Sequence, residues 1–307
     1  MILYLHMKII GSLVVIALIG VGAYFFTRGS NDKAPTTTVP DTATDTKEPT
    51  ATTTLPVKAK GPTSVIGASV EKRDITAYHF GTGDTEILFV GGTHGGYSWN
   101  TALVAYELID HLKARPDVIP KNVQVTVIPV LNPDGLVKVA GTADHFAKKD
   151  VSASSATRTS GRFNAKNVDL NRNFDCAWQA TGTWQNKPVS GGATAFSEPE
   201  TVALKSYVET NKPAGVVVWY SAAGGVFASK CLEGILPETH TLTNTYAQAS
   251  GYKAYEDFDF YEVTGDMVNW LAKEKIPAIS VLLSTHEDTE WTKNKAGIEA
   301  VLKHFAQ

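Results

Sequence analysis

Five short apolar runs, nearly unbroken and rich in β-branched residues, set the strongest limit on how this chain folds. They are ITAYHF (75–80), EILFVGG (86–92), VQVTVIPVLN (123–132), AGVVVWYS (214–221) and PAISVLLS (277–284). A strand with one wet face alternates apolar and polar residues, whereas a run apolar at almost every position is covered on both faces. Helix patterns lie between the runs. In 100–114, Leu103, Tyr106, Leu108, Ile109 and Leu112 fall near one face. Segment 197–211 opens on Ser197, a good N-cap type, with Pro199 in the first turn. A third helix is expected from Thr264 to 275, ahead of Pro277, and a fourth over 294–306. There is no internal repeat. This alternation predicts an α/β domain over 63–307, with a mixed or mostly parallel central sheet flanked by helices. Functional loops in such sheets gather where strands end.

Residues 1–62 have another character. After a short N-terminal segment (1–8), residues 9–26, IIGSLVVIALIGVGAYFF, carry no charge and lie between Lys8 and Arg28. About 18 apolar residues can just span a bilayer core of roughly 30 Å. No A-x-A-like cleavage site follows. We therefore expect a transmembrane signal anchor at 9–26 with the body outside the cytoplasm; secretion after signal cleavage is the alternative. Met7 begins the more usual opening MKIIGSL, so either Met1 or Met7 is the start. Residues 27–62 are Thr/Pro-rich with few apolar side chains. Such a linker cannot bury enough surface to offset its ordering entropy and reads as a disordered stalk. A net charge of −3 argues against nucleic acid as a partner. Two cysteines, Cys176 and Cys231, suggest a disulfide in an exported chain, two buried thiols being the alternative.

Several motifs lie at strand ends. GGTHGGYSWN (91–100) places His94 in a Gly-rich turn, where such a residue often points at a metal, yet Tyr97 and Ser98 stand where a carboxylate would complete the pattern. VLNPDG (130–135) is turn chemistry. NVDLNRNFD (167–175) carries Asn171 and Arg172, with Arg162 upstream in SGRFN. An Arg fork matches a carboxylate bidentately, although a solvated surface loop has the same composition. VVVWYSAAGG (216–225) ends a strand in Tyr220 and Ser221. STHEDTEW (284–291) clusters His286, Glu287, Asp288 and Glu290, and taken alone is an acidic loop or helix start.

Taken in order, these motifs resemble the zinc carboxypeptidase superfamily, the carboxypeptidase A-like metallopeptidases, over roughly 63–307. FVGGTHGG resembles the turn carrying the first zinc His, LNPDG and VDLNRNFD are typical, SEPET resembles a helix start, and YEVTGDMVNWL resembles the segment opened by the substrate-binding Tyr. The resemblance implies a mixed eight-stranded sheet between helices. It makes His94 the first zinc ligand. The second, a Glu, falls at Ser98 or, with H-x-x-E spacing, at Tyr97. The third, a His, falls at Tyr220. The general base Glu falls at Leu282, or at Leu283 if the alignment slips by one. Asn171 and Arg172 match the pair that grips a terminal carboxylate, Arg162 is the candidate for polarising the scissile carbonyl, and Tyr261 matches the substrate Tyr.

A catalytic zinc site uses three protein ligands and a water. His94 alone implies weak or absent zinc binding, and Leu282 accepts no proton, so no catalytic residue is assigned. The expected function is a membrane-tethered pseudoenzyme that binds peptide C-termini, peptidoglycan stem peptides among them. One alternative is an active metallocarboxypeptidase with relocated ligands such as His286 or Asp288. Another is hydrolysis without metal through Ser98 or Ser221, for which the sequence names no base.

Overall fold

The computed structural model describes residues 61–306, all within the unit that spans 57–307. The expectations for 1–8, for the 9–26 anchor and for the 27–60 part of the linker fall outside them. No helix among the described residues is long and apolar enough to cross a membrane.

The elements in chain order are β1 (Thr63–Ala68), β2 (Asp74–Phe80), β3 (Thr85–Val90), α1 (Trp99–Ala114), β4 (Val123–Ile128), α2 (Pro133–Ala140), α3 (Ser155–Ser160), β5 (Thr181–Trp184) and β6 (Lys187–Ser190). There follow α4 (Pro199–Asn211), β7 (Gly215–Ser221), β8 (Gly225–Ala228), α5 (Pro237–Ser250), β9 (Ala254–Tyr255), α6 (Met267–Lys273), β10 (Ala278–Leu283) and α7 (Trp291–His304). Short 3-10 turns connect some of them.

Eight strands form one sheet in the order β1-β2-β4-β3-β7-β10-β8-β9, and β5 and β6 make a separate hairpin. The centre, β4-β3-β7-β10, is parallel, and antiparallel pairs flank it. The expected mixed eight-stranded sheet is therefore present, and its central strands are the apolar runs of the sequence. Alternate residues of each strand feed two cores. Ile87, Phe89, Val217, Trp219, Ile279 and Val281 pack toward α1, α5 and α7. Leu88, Val90, Val216, Val218 and Leu282 pack toward α4 and α6. Burial on both faces is why these strands lack polar alternation.

Helix starts differ from the sequence expectation at three places. The cap position of α4 is Glu198, not Ser197. The Ser197 hydroxyl instead donates to Glu198 and accepts from Asn173 Nδ2. The helix expected from Thr264 begins at Met267, because the Asp266 carboxylate accepts from Asn269 N–H and fixes the first turn there. Helix α7 begins at Trp291 rather than 294.

Candidate functional site

The carboxyl ends of β3, β7 and β10 open into one cleft of about 820 Å³. His94 follows β3 on a turn that only glycine can make. Gly95 has φ +43°, and a Cβ there would lie 2.6 Å from the Gly161 carbonyl oxygen. A Cβ on Gly96 would lie 2.2 Å from the Val139 side chain, so the turn presses directly on α2 and on the end of α3. The LNPDG motif supports the same corner. Asn132 Oδ1 accepts from Gly135 N–H, and its amide donates to the Arg162 carbonyl at 3.2 Å.

His94 is almost fully buried, and its Nε2 lies 3.5 Å from Asp169 Oδ1. Arg162 holds the other oxygen of Asp169 through Nε at 2.9 Å and Nη2 at 2.8 Å. Burial lowers the His94 pKa to about 4, and Arg162 adds to that effect against the opposing Asp169. Burial pushes the Asp169 carboxyl up, but Arg162 and His94 outweigh it and hold the group well below the usual carboxylate range. Asp169 is the residue that sequence reasoning missed here. It stands in plain view in NVDLNRNFD, and a carboxylate behind a ligand His is a recurrent way of orienting the ring.

The positions that the resemblance gives to the other ligands and the base hold different chemistry. Tyr220 packs on His94, ring centroids 5.4 Å apart. Its hydroxyl donates to Asn171 Oδ1 at 2.9 Å, and burial pushes the phenol well above its ordinary pKa. Leu282 pairs in register with Tyr220 and lines the cleft, whereas Leu283 is buried in the opposite core. Of the two leucines, only Leu282 faces the cleft. Tyr97 lines the cleft edge-on to Trp184, and Ser98 is buried at the start of α1 with no partner for its hydroxyl. Among the described residues no three His, Cys, Asp or Glu side chains converge as ligands. A neutral phenol, a serine, a leucine and an Asp already held by Arg162 do not fit a zinc ion beside His94.

The residues expected to bind substrate come together more fully. Arg172 is buried yet lines the cleft. Its Nε and Nη2 donate to the Thr183 carbonyl of β5, and its Nη1 to the Asn171 carbonyl. Three of the five guanidinium N–H groups are thereby fixed, leaving two for a ligand. Tyr261 places its ring 5.9 Å from the Arg172 guanidinium carbon and edge-on to Phe258. Asn171 lines the cleft as well, but its side chain is engaged: Oδ1 accepts from Tyr220 and from Met267 N–H, and Nδ2 donates to Asp266. At most one amide hydrogen is left for a ligand. Arg162 stacks over Trp184 at 4.5 Å. The Cys176–Cys231 disulfide forms, joining the segment after Arg172 to the segment after β8 at the cleft rim.

The STHEDTEW loop reaches the cleft by a single side chain. His286 packs on Tyr97, ring centroids 4.5 Å apart, and its Nδ1 lies 2.8 Å from Ser221 Oγ. Burial, with Arg162 adding, lowers its pKa. Asp288 turns its carboxylate to Glu290 N–H in an exposed position. Among the described residues neither forms a ligand cluster with His94.

A family model described as zinc carboxypeptidase matches residues 62–298. Carboxypeptidase O of Bos taurus is 36% identical over 94 residues, which are 30% of this chain and 23% of that protein. A zinc carboxypeptidase of Simulium vittatum is 28% identical over 190 residues, 59% of this chain and 58% of its own length. The chain thus spans less than two thirds of either relative. Among solved structures, the murein-tripeptide amidase of Escherichia coli O157 is similar with a TM-score of 0.55 at 19% identity, covering 80% of this chain and 92% of that one. At such identity the likeness shows the fold.

Proposed function

The chain belongs to the zinc carboxypeptidase family, and from that premise we propose that it is a catalytically impaired member that binds peptide C-termini. The observation that carries this reading is the contrast between the two halves of one cleft. Arg172 and Tyr261 stand where a terminal carboxylate would be held, while Tyr220 and Leu282 stand where a ligand and a base would be needed. General base catalysis contributes typically about 10²–10⁴, and Leu282 supplies none. Among the described residues the side chains around His94 supply no ligand set for cleaving a peptide through a metal. What they support is recognition: Arg172 offers two N–H groups to a carboxylate, Tyr261 covers it, and the disulfide holds the rim.

The ligand class we favour is a peptide with a free C-terminus, with cell-wall stem peptides as its natural form. The structural likeness to a protein named murein-tripeptide amidase motivates that choice. An anchor at 9–26 and a stalk at 27–62 would carry the domain outside the cytoplasm, within reach of such peptides. Titration calorimetry of the full chain with a free-acid tripeptide and its C-terminal amide tests the reading. Binding of the acid but not of the amide is expected. Equal binding, or release of C-terminal residues in the presence of zinc, would overturn it.

A further inference from the structure

A second set of groups in the cleft is arranged for different chemistry. The Ser221 hydroxyl lies 2.8 Å from His286 Nδ1 and 3.2 Å from Asn100 Oδ1. Both Ser221 and His286 line the cleft. Asn100, on α1, fixes this assembly from below. Its amide donates to the Thr285 carbonyl at 2.7 Å and to the Asp288 carbonyl at 2.9 Å, clamping the His286 loop on both sides. Those two bonds also orient the amide, leaving Oδ1 toward Ser221. The Tyr97 ring supports the imidazole from the side. Three segments far apart in the chain thus converge on one hydroxyl and one imidazole.

We propose that Ser221 and His286 form a nucleophile–base dyad that accepts an acyl group from carboxylic esters. A serine is a weak nucleophile until a base within hydrogen-bond reach takes its proton, and this separation meets that condition. In the resting state the hydroxyl hydrogen goes to Asn100 Oδ1 or to His286 Nδ1, depending on the imidazole tautomer. In the Nε2–H tautomer Nδ1 is free to accept. Ser221 Oγ then bonds to the ester carbonyl carbon as its proton passes to Nδ1. The carbon–oxygen bond to the alcohol breaks, and the alcohol leaves with that proton. Water repeats the sequence: His286 takes its proton, the hydroxyl adds to the acyl carbon, and Ser221 Oγ departs with the proton as the carboxylic acid is released. Arg162 keeps three N–H groups beyond the two given to Asp169 and lines the same cleft, placing positive charge near the developing oxyanion.

Esters rather than amides are specified by what lies beside the imidazole. The Glu287 carboxylate is turned outward to Arg158 at 2.9 Å and Lys148 at 3.6 Å, in an exposed position. Among the described residues no buried carboxylate pairs with the His286 ring, so an easy leaving group is required. The inference does not depend on peptide C-terminus binding, which involves Arg172 and Tyr261.

The test is covalent labelling of the full chain with a fluorophosphonate probe, followed by intact mass and peptide mapping. One adduct per chain, on Ser221, is expected, and Ser221→Ala abolishes it. His286→Gln, which keeps the volume and a polar tip, should slow labelling by about 10²-fold or more. An activated aryl ester should give a burst of one alcohol per chain. No adduct, an adduct on another residue, a rate unchanged in His286→Gln, or a rate equal to that in urea-unfolded protein would each overturn the proposal. Mapping on the unmodified chain decides it even if a variant fails to fold.

Discussion

Tyr220 covers His94: the two rings lie 5.4 Å apart and tilted by 46°, and the phenol hydrogen is given to Asn171. A side chain at the position that the resemblance gives to the third ligand, itself satisfied, leaves a metal little to gain there.

The full chain, equilibrated with micromolar zinc and desalted, should therefore hold far less than one zinc per molecule by elemental analysis. Structural zinc sites owe roughly 10–16 kcal/mol to a complete ligand set. Tyr97→Glu, Tyr220→His and Leu282→Glu, all three at positions that line the cleft, should raise the zinc content when made together, and none of them alone should. Stoichiometric zinc in the unmodified protein, lost in His94→Ala, is the result that contradicts this.

Arg172→Ala should weaken binding of a free-acid peptide about tenfold to a hundredfold, since a charge-assisted pair is worth roughly 1.5–3 kcal/mol. It also strands the Thr183 and Asn171 carbonyls, which the guanidinium now satisfies. Arg172→Lys separates the two effects: it keeps the charge but loses the fork. Its affinity for the acid should fall between those of the unmodified protein and the alanine variant. An unchanged affinity in both variants would remove Arg172 from the binding site.

Acid should weaken the fold through His94. Burial keeps the ring neutral down to about pH 4 in the folded chain, while the unfolded chain protonates near pH 6.5. The unfolded state thus takes up a proton that the folded state refuses. The stability is present above about pH 6.5 and is lost as pH falls toward 4, by on the order of 3 kcal/mol. Urea midpoints at neutral pH and near pH 4.5 measure this. The drop should shrink in His94→Gln, and an identical drop in that variant would assign the effect to other groups.

The Cys176–Cys231 bridge closes a loop with a sequence separation of 55. Chain-entropy arguments give such a closure about 4 kcal/mol. Protein denatured without reductant should show no free thiol by alkylation and mass analysis. The double Cys→Ser variant should melt several degrees lower. Two labelled thiols in the unreduced protein would contradict the bridge.

Much of the frame was legible because its signals are local. The apolar runs at 86–90, 123–128, 214–221 and 278–283 became the parallel centre, since burial on both faces leaves its mark residue by residue. The motifs around His94 and Arg172 gave the cleft for the same reason. Helix α5 went unread: PETHTLTNTYAQAS is mostly polar, and only Leu242, Tyr246 and Ala247 anchor it in the core. Ser197 misled because an N-cap type in the right place can be claimed by a distant partner, here Asn173. The Ser221–His286–Asn100 assembly was not readable at all. Its members are 65, 121 and 186 positions apart, and only the sheet order brings them together. Asp169 was readable, and was passed over for the Asn-Arg pair beside it.

The position of β10 has a consequence for how the molecule is made. It is the last strand of the described chain to be synthesised, yet it lies inside the sheet between β7 and β8. Until it inserts, both neighbours present bare edges, and the cleft lacks a wall and His286. On a ribosome the domain must therefore wait for nearly its whole length, with one edge of β7 and one of β8 bare and open to sticking. A chaperone that holds the chain until then would suit a domain whose central strand arrives last.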